Sequence, residues 1–461
     1  MNLTVGDIIN ATGGKLIVGN LSTECVNYSR DTRTIKNGDT FIAIKGENFD
    51  GNLFWMEALD KGADVVIINK LNLNKEQIEK YKNKCIIEVE DTLIALGKIA
   101  EFKRNLYKGK LKVIGVTGSV GKTSTKDIIA NVLSKKYKTL KTEGNNNNFI
   151  GLPFTLLRLK DEEVAVIEMG MNHLGEISYL SKIAKPDISV ITNIGSSHIG
   201  NLGSRENILK AKLEILDGME EKNLVINNDN DLLHKWNLEN NINTYTYGIK
   251  NNSDFMAKNI KLNETNSEFI CENKNEKINI NVPVAGEHFI LNSLSAIAVA
   301  KLLNLNNEEI INGIKDFKLT AKRMEIIHTK NNITIINDAY NASYESMKAS
   351  ILSLKNMNGK RKIAVLGDMF ELGSFSEKLH RDVAKEIYKN KINEVYLIGE
   401  NSKFIYDELI NLGFNKNNLF YFTEKNLLIE NLQKNLTEGD TVLIKASNGM
   451  KLYEVAQELI N

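Results

Sequence analysis

The run Val113-Ile-Gly-Val-Thr-Gly-Ser-Val-Gly-Lys-Thr-Ser124 limits what this chain can fold into more than any other stretch. An apolar strand breaks into glycines and ends in Gly121-Lys122-Thr123 ahead of a helical pattern. Strand, glycine turn and helix in that order make a phosphate cradle. Its backbone N–H groups point at phosphate oxygens, Lys122 supplies a cation, and Thr123 supplies a hydroxyl for Mg²⁺. The spacing is unusual. In the common pattern a glycine stands five positions before the glycine of Gly-Lys-Thr; here that position is Val116, and the glycines assigned to the loop are Gly115 and Gly118.

At 461 residues the chain is too long for one core, and its length implies about three domains. With 59 basic against 58 acidic side chains, no excess charge points to nucleic acid or a membrane surface. Cys25, Cys85 and Cys271 are odd in number and scattered, which gives neither a disulfide framework nor a zinc site and suits a reducing compartment. The first residues lack a basic segment followed by an apolar core, and no apolar run is long enough to span a bilayer, so a cytoplasmic protein is expected. Asn is abundant, as in Asn145 to Asn148, which weakens inference from any single Asn.

The first ninety residues alternate short apolar runs with turn signals, as in Gly38–Gly46, Phe54–Lys61 and Ala63–Ile68, and predict a small α/β domain over 1–90. Thr92 to Tyr107 has helical periodicity and leads through Lys108-Gly-Lys110 into a second section, 91–317. There Val113–Val116, Val164–Ile167, Ile188–Thr192 and Leu224–Ile226 read as strands buried on both faces, the mark of a parallel sheet with crossover helices. Gly286 to Leu303 reads as a helix. A third section, 318–461, restarts the alternation with Ile333–Asn337, Lys362–Leu366, Glu394–Ile398, Leu419–Phe422 and Thr441–Ile444. It lacks the glycine turn of a dinucleotide site, so no dinucleotide cofactor is expected.

Polar residues crowd after these strands, where ligands bind in open α/β sheets. Glu168 ends Val164–Ile167 and is placed to hold Mg²⁺ on cradle-bound phosphates. His198 lies in Gly195-Ser-Ser-His-Ile-Gly200; nitrogen is an unusual Mg²⁺ ligand, so alone it reads as structural. Lys210 and Lys212 fall on the helical run Glu206–Leu216, where a solvated face is the ordinary outcome. Asp338 follows Ile333–Asn337.

Together these segments resemble the Mur ligase family, whose ATP loop has the compressed glycine spacing of Thr117-Gly-Ser-Val-Gly-Lys-Thr-Ser124. The likeness runs in order through Glu143–Pro153, Ile167–Met171, Thr192–His198, Ala211–Ile215, Gly286–Asn292 and Lys322–Glu325. Asp338-Ala-Tyr-Asn-Ala-Ser343, Ser346-Met347 and Leu366-Gly-Asp-Met-Phe-Glu-Leu-Gly373 resemble the member that adds D-alanyl-D-alanine to UDP-N-acetylmuramoyl-tripeptide. Ser29–Arg33 and Phe41–Gly51 look like its nucleotide-sugar-binding part.

The resemblance implies three α/β domains: a small one for the UDP-sugar, a central parallel-sheet P-loop ATPase and a C-terminal Rossmann-like one. It also implies ATP and Mg²⁺. The cradle residues Gly118, Ser119, Val120, Gly121, Lys122, Thr123 and Ser124 would hold the nucleotide with Asn292, Arg323 and Asp338. Thr123 and Glu168 would hold one Mg²⁺, with His198 and Lys212, the latter as a carbamate, holding a second; Lys122, Glu168, His198 and Lys212 would be the catalytic group. Ser29, Asp31, Thr32, Arg33, Lys45, Asn145, Tyr340 and Asn341 would contact substrate.

The implied reaction passes through an acyl phosphate, with the third domain closing over the second, in a monomeric enzyme that takes no nucleic acid and does not insert in membranes. Tyr344 stands where the family usually has Pro, and Ala446 and Asn448 where Gly and Arg are common. A sister ligase adding the third amino acid, a folylpolyglutamate synthase and a P-loop nucleotide switch are the rival readings; the switch leaves Lys212 and the first domain unexplained.

Overall fold

The computed structural model describes residues 2–46, 49–274, 276–320 and 322–460. Glu47 and Asn48 of the Phe41–Gly51 segment lie outside them. Three sheets, each flanked by helices, follow one another along the chain.

The first has six strands in the order Leu3–Thr4, Glu24–Ser29, Asp39–Ile42, Val65–Asn69, Cys85–Val89 and Lys15–Val18. The inner pairs are parallel and each edge pair is antiparallel. Val65 to Ile68 are wholly buried, as a strand covered on both faces requires.

The second sheet has nine strands. From one edge run Thr139–Lys141, Val164–Glu168, Lys112–Thr117, Ile188–Ile191, Asn223–Asn227, Asn243–Gly248 and Phe255–Leu262, all parallel. Ser267–Asn273 and Glu276–Val282 then continue it as antiparallel hairpins. The expectation of a parallel sheet therefore needs correcting to a mixed one. The last strand shows why: Ile278, Ile280 and Val282 are buried while Lys277, Asn279 and Asn281 face solvent, the period-two pattern of a sheet covered on one side. The helix Glu287–Leu302 packs between these strands and the helix Lys122–Leu133.

The third sheet orders Glu325–His328, Thr334–Asn337, Thr441–Lys445, Lys362–Gly367, Glu394–Ile398 and Leu419–Phe422. All pairs are parallel except the first. Its strand ends place Asp338 beside Lys445 and face the second sheet's strand ends across a cleft. Tyr344, in the family's proline position, opens the helix Tyr344–Asn356 directly after its cap, Ser343. That first helical position suits proline and tolerates other residues.

Candidate active site

Register brings the polar clusters together. Val116 pairs with Glu168 and Thr117 with Ile191, so the segments after these three strands leave the sheet side by side. Gly115 lies inside the strand Lys112–Thr117, so its assignment to the loop is corrected. A Cβ there would sit 3.1 Å from both Ile215 Cδ1 and Pro186 Cγ; the need is close packing under the strand. Gly118 is a true loop glycine, with φ +148° and an added Cβ only 2.0 Å from Thr192 Oγ1.

The cradle is strapped to the next loop. Ser119 N–H donates to Asn193 O (3.0 Å), Val120 N–H to Asn193 Oδ1 (2.9 Å), Thr192 Oγ1 to Val120 O (2.6 Å) and Gly195 N–H to Ser119 Oγ (2.9 Å). The amides of Ser119 and Val120 are thus engaged. Donors for an anion remain in the first turn of the helix Lys122–Leu133, which no side chain caps. Lys122 Nζ folds onto Gly118 O (2.8 Å) and Ser119 O (3.3 Å), and burial pulls its pKa down.

Beside the cradle, Glu168 is 2 % exposed. Its Oε1 accepts from Asn147 Nδ2 at 2.8 Å, while Oε2 has no partner among the described residues. Lys210 and Lys212 part company on the helix Arg205–Leu213: Lys210 is exposed, whereas Lys212 is fully buried and its Nζ has no partner among the described residues. Burial above all, and then the charge of Lys122, push the Lys212 pKa far down, toward the uncharged amine. A buried amine without a partner is costly and calls for a ligand or a modification.

The donor set fits Mg²⁺ held largely by phosphate. Among the described residues no three His, Cys, Asp or Glu side chains form a cation site. The Thr123 hydroxyl and the free Glu168 Oε2 are the hard oxygens Mg²⁺ takes when phosphates complete its shell.

The third section forms the opposite wall of a cleft of about 490 Å³. Arg323 Nη2 donates to Thr123 Oγ1 at 3.0 Å, its guanidinium lies 3.9 Å from the Tyr340 ring centroid, and its Nε has no partner among the described residues. Left-handed backbone at Lys322 (φ +63°) and Met324 (φ +51°) turns the chain on either side of it. Asp338 is fully engaged: Oδ1 accepts from Met324 N–H (3.1 Å), and Oδ2 from Ser350 Oγ (2.6 Å) and Lys445 Nζ (2.5 Å). Asn292 and Ser124 line the cleft, as does Asn341, whose carbonyl accepts from Lys445 at 3.0 Å. His288 also lines it, and burial pushes its pKa down to about 4.

Two carboxylates of the third section reach the loop after Ile188–Ile191. Glu345 accepts from Ser196 N–H (2.8 Å) and Ser196 Oγ (2.9 Å). Glu371 Oε2 lies 2.5 Å from His198 Nδ1. The ring nitrogen and that carboxylate are in close approach without the alignment of a regular hydrogen bond.

The other candidates lie elsewhere. Ser29 Oγ accepts from Asp31 N–H (3.1 Å), Asp31 forks onto Arg33 at 2.6 to 3.1 Å, Thr32 donates to Glu57 (2.9 Å), and Lys45 pairs with Asp50 in an isolated bridge. None of these lines the cleft. Asn145 is exposed, and its neighbours Asn147 and Asn148 line the cleft instead. Asn147, Asn193, His288, Glu345, Glu371 and Lys445 were not singled out from sequence. Asn147, Asn193, His288 and Glu371 stand within segments of the family likeness without a role of their own, and Asn147 is further hidden in the asparagine run.

A phosphate cradle with a buried strand-end carboxylate, a buried lysine that has no partner among the described residues and an arginine supplied from a following domain defines an ATP-dependent ligase of three α/β domains. Comparison with known proteins agrees. Residues 27–104 match the model "Mur ligase family, catalytic domain", 116–300 "Mur ligase middle domain" and 322–448 "Mur ligase, glutamate ligase domain". The UDP-N-acetylmuramoyl-tripeptide–D-alanyl-D-alanine ligase of Bacillus subtilis (strain 168) is 40% identical over 434 residues, covering 93% of this chain and 92% of that one. Its counterpart from Escherichia coli (strain K12) is 32% identical over 466 residues, covering 100% and 98%. Crystal structure I of MurF from Acinetobacter baumannii superposes with a TM-score of 0.89 at 28% identity, covering 100% and 99%. MurF ligase from Thermotoga maritima in complex with ADP gives 0.81 at 29%, covering 94% and 96%. This chain belongs to the Mur ligase family.

Proposed function

We propose that this chain joins D-alanyl-D-alanine to UDP-N-acetylmuramoyl-tripeptide, converting ATP to ADP and phosphate, in the cytoplasmic synthesis of peptidoglycan precursor. One observation carries the chemistry: three buried atoms have no partner among the described residues, Glu168 Oε2 and Arg323 Nε in the cleft that the uncapped helix N-terminus opens into, and Lys212 Nζ within electrostatic reach of Lys122. The relatives' names supply the substrates.

In this mechanism the tripeptide carboxylate attacks the γ-phosphorus of ATP and expels ADP. The dipeptide amine then attacks the acyl carbon, expels phosphate and gives up a proton as the amide forms. The uncapped amides of the helix Lys122–Leu133 hold phosphate oxygens, and Lys122 leaves the loop carbonyls for them. Arg323 adds charge from the opposite wall, where its present bond to Thr123 puts it within reach. Glu168 and Thr123 would hold one Mg²⁺, and His198 with Lys212 as a carbamate a second. When bound, Mg²⁺ neutralises charge on the phosphoryl group in transit. The downward shift of the Lys212 pKa favours the uncharged amine that reaction with CO₂ requires. Ser29, Asp31, Thr32, Arg33 and Lys45 would meet the UDP-sugar, Asn145, Tyr340 and Asn341 the peptide portions, and Asp338, through its bonds to Met324 and Lys445, the nucleotide side. Domain limits of 1–90, 91–317 and 318–461, a monomer and closure of the third domain over the second belong to the same proposal. No described helix is long and apolar enough to cross a membrane.

The test is phosphate release from ATP with UDP-N-acetylmuramoyl-tripeptide, using the lysine and diaminopimelate forms in turn, with and without D-alanyl-D-alanine. Release that depends on the dipeptide is expected with one form or both. Its absence with both overturns the assignment.

A further inference from the structure

The segment Leu366-Gly-Asp-Met-Phe-Glu-Leu-Gly373 has no role in the mechanism above, yet it is braced from several sides. Asp368 accepts from Ser402 N–H (2.7 Å) and Asn401 N–H (3.1 Å), Met369 N–H donates to His380 Nε2 (3.0 Å), and Phe370 N–H donates to Ser447 Oγ (2.8 Å). These bonds leave Glu371 at the tip of the loop, in left-handed backbone with φ +63°.

The tip is seated on the second domain. Gly200 N–H donates to Glu371 O at 3.0 Å. A Cβ on Gly200 would fall 2.6 Å from Gly373 N and 2.7 Å from Glu371 O, so only glycine allows the two backbones this close. In the same contact Glu371 Oε2 stands 2.5 Å from His198 Nδ1. His198 is itself left-handed, with φ +63°, a conformation uncommon outside glycine and maintained by its surroundings. A carboxylate on one imidazole nitrogen fixes the ring and leaves the other as the available ligand.

We propose that Glu371 is a positioning residue: it holds His198 by Nδ1, so that Nε2 is the nitrogen offered to the divalent ion, and it does so only when the third domain is docked. This rests on the metal role of His198 in the proposed function. The specific motif of the third domain then has a task, which is to make one metal ligand of the second domain depend on docking.

The measurement is pulsed electron paramagnetic resonance of Mn²⁺ bound with a non-hydrolysable ATP analogue and UDP-N-acetylmuramoyl-tripeptide, together with the Mn²⁺ concentration giving half-maximal binding. The parent should show ¹⁴N modulation from a coordinated imidazole, and His198→Ala should lose it. Glu371→Ala should weaken or lose the modulation and raise the half-saturating Mn²⁺ roughly tenfold, the ordinary cost of removing such a partner. Glu371→Gln, which keeps an acceptor, should fall between. The side chain is about half exposed, at 48%, so both variants should fold. Modulation and half-saturation unchanged in Glu371→Ala would overturn the inference. No ¹⁴N modulation in the parent would overturn it through His198, and dipeptide-dependent phosphate release would show separately whether the ligase assignment survives.

Discussion

The ATP cleft and the face proposed for the UDP-sugar treat their polar groups in opposite ways. On the N-terminal sheet, Asp31 and Arg33 form an exposed fork, and the guanidinium beside it holds the Asp31 carboxyl down at about 2. Ser29 and Thr32 are likewise engaged with near neighbours. In the cleft Glu168 Oε2 and Arg323 Nε, and behind its lining Lys212 Nζ, which feels the charges of Lys122 and Glu168, are buried with no partner among the described residues. An exposed pair contributes little to stability and opens readily to a ligand. A buried unpaired group weakens the fold and persists where function retains it. One face is thus stable by itself and rearranges on binding, while the other is left incomplete for nucleotide and ion.

That contrast can be broken at three places. The largest effect is expected at Lys212: Lys212→Met should lower dipeptide-dependent phosphate release by about 10²–10³, as loss of a preorganised electrostatic group does. It should unfold at no lower temperature than the parent, since it removes a buried amine that has no partner among the described residues. A less stable variant with full activity would place Lys212 among ordinary structural residues. A smaller effect is expected at Asp31→Asn, which should raise the KM for the UDP-substrate about fivefold, leave the KM for ATP unchanged, and alter stability by no more than about 0.5 kcal/mol. A raised KM for ATP would erase the separation between the two faces.

The smallest effect concerns acid. Burial disfavours the charged form of His288 and pushes its pKa down from the usual 6.5 to about 4 in the fold. Between those values the unfolded chain binds the proton and the folded one does not, so stability falls as pH drops from about 6.5 towards 4. Denaturant unfolding of His288→Gln should show a shallower decline across that window, and identical profiles would show that the fold does not depress the His288 pKa.

The parts of the molecule legible in sequence share a physical basis. Val113–Val116 and Val164–Ile167 are apolar throughout because both faces of those strands are covered, and the residues after them belong to the cleft because a parallel sheet gathers its strand ends on one side. The strands Ser267–Asn273 and Glu276–Val282 alternate with Asn, Lys and Glu, so a search for continuous apolar runs passes over them. Lys210 and Lys212 could not be told apart from helical position alone, and tertiary packing separates them. Glu345 carried no local signal, and Glu371 only that of its motif without a role, because their partners, Ser196 and His198, belong to another domain. Among so many asparagines, Asn147 and Asn193 were indistinguishable from background.

The loop from Thr192 to Gly200 has a consequence for how the enzyme tolerates change. Its first residues are tied to the cradle through Thr192 Oγ1 and both acceptors of Asn193, and its last to the third domain through Ser196, His198 and Gly200. An insertion between Asn193 and Ser196 would put the two sets of contacts out of step. A methyl group at Gly195 would meet the Glu345 carboxylate at 2.6 Å. The nine residues serve as a ruler between nucleotide and closing domain, and a small molecule lodged there would desynchronise the two halves without touching the phosphate site.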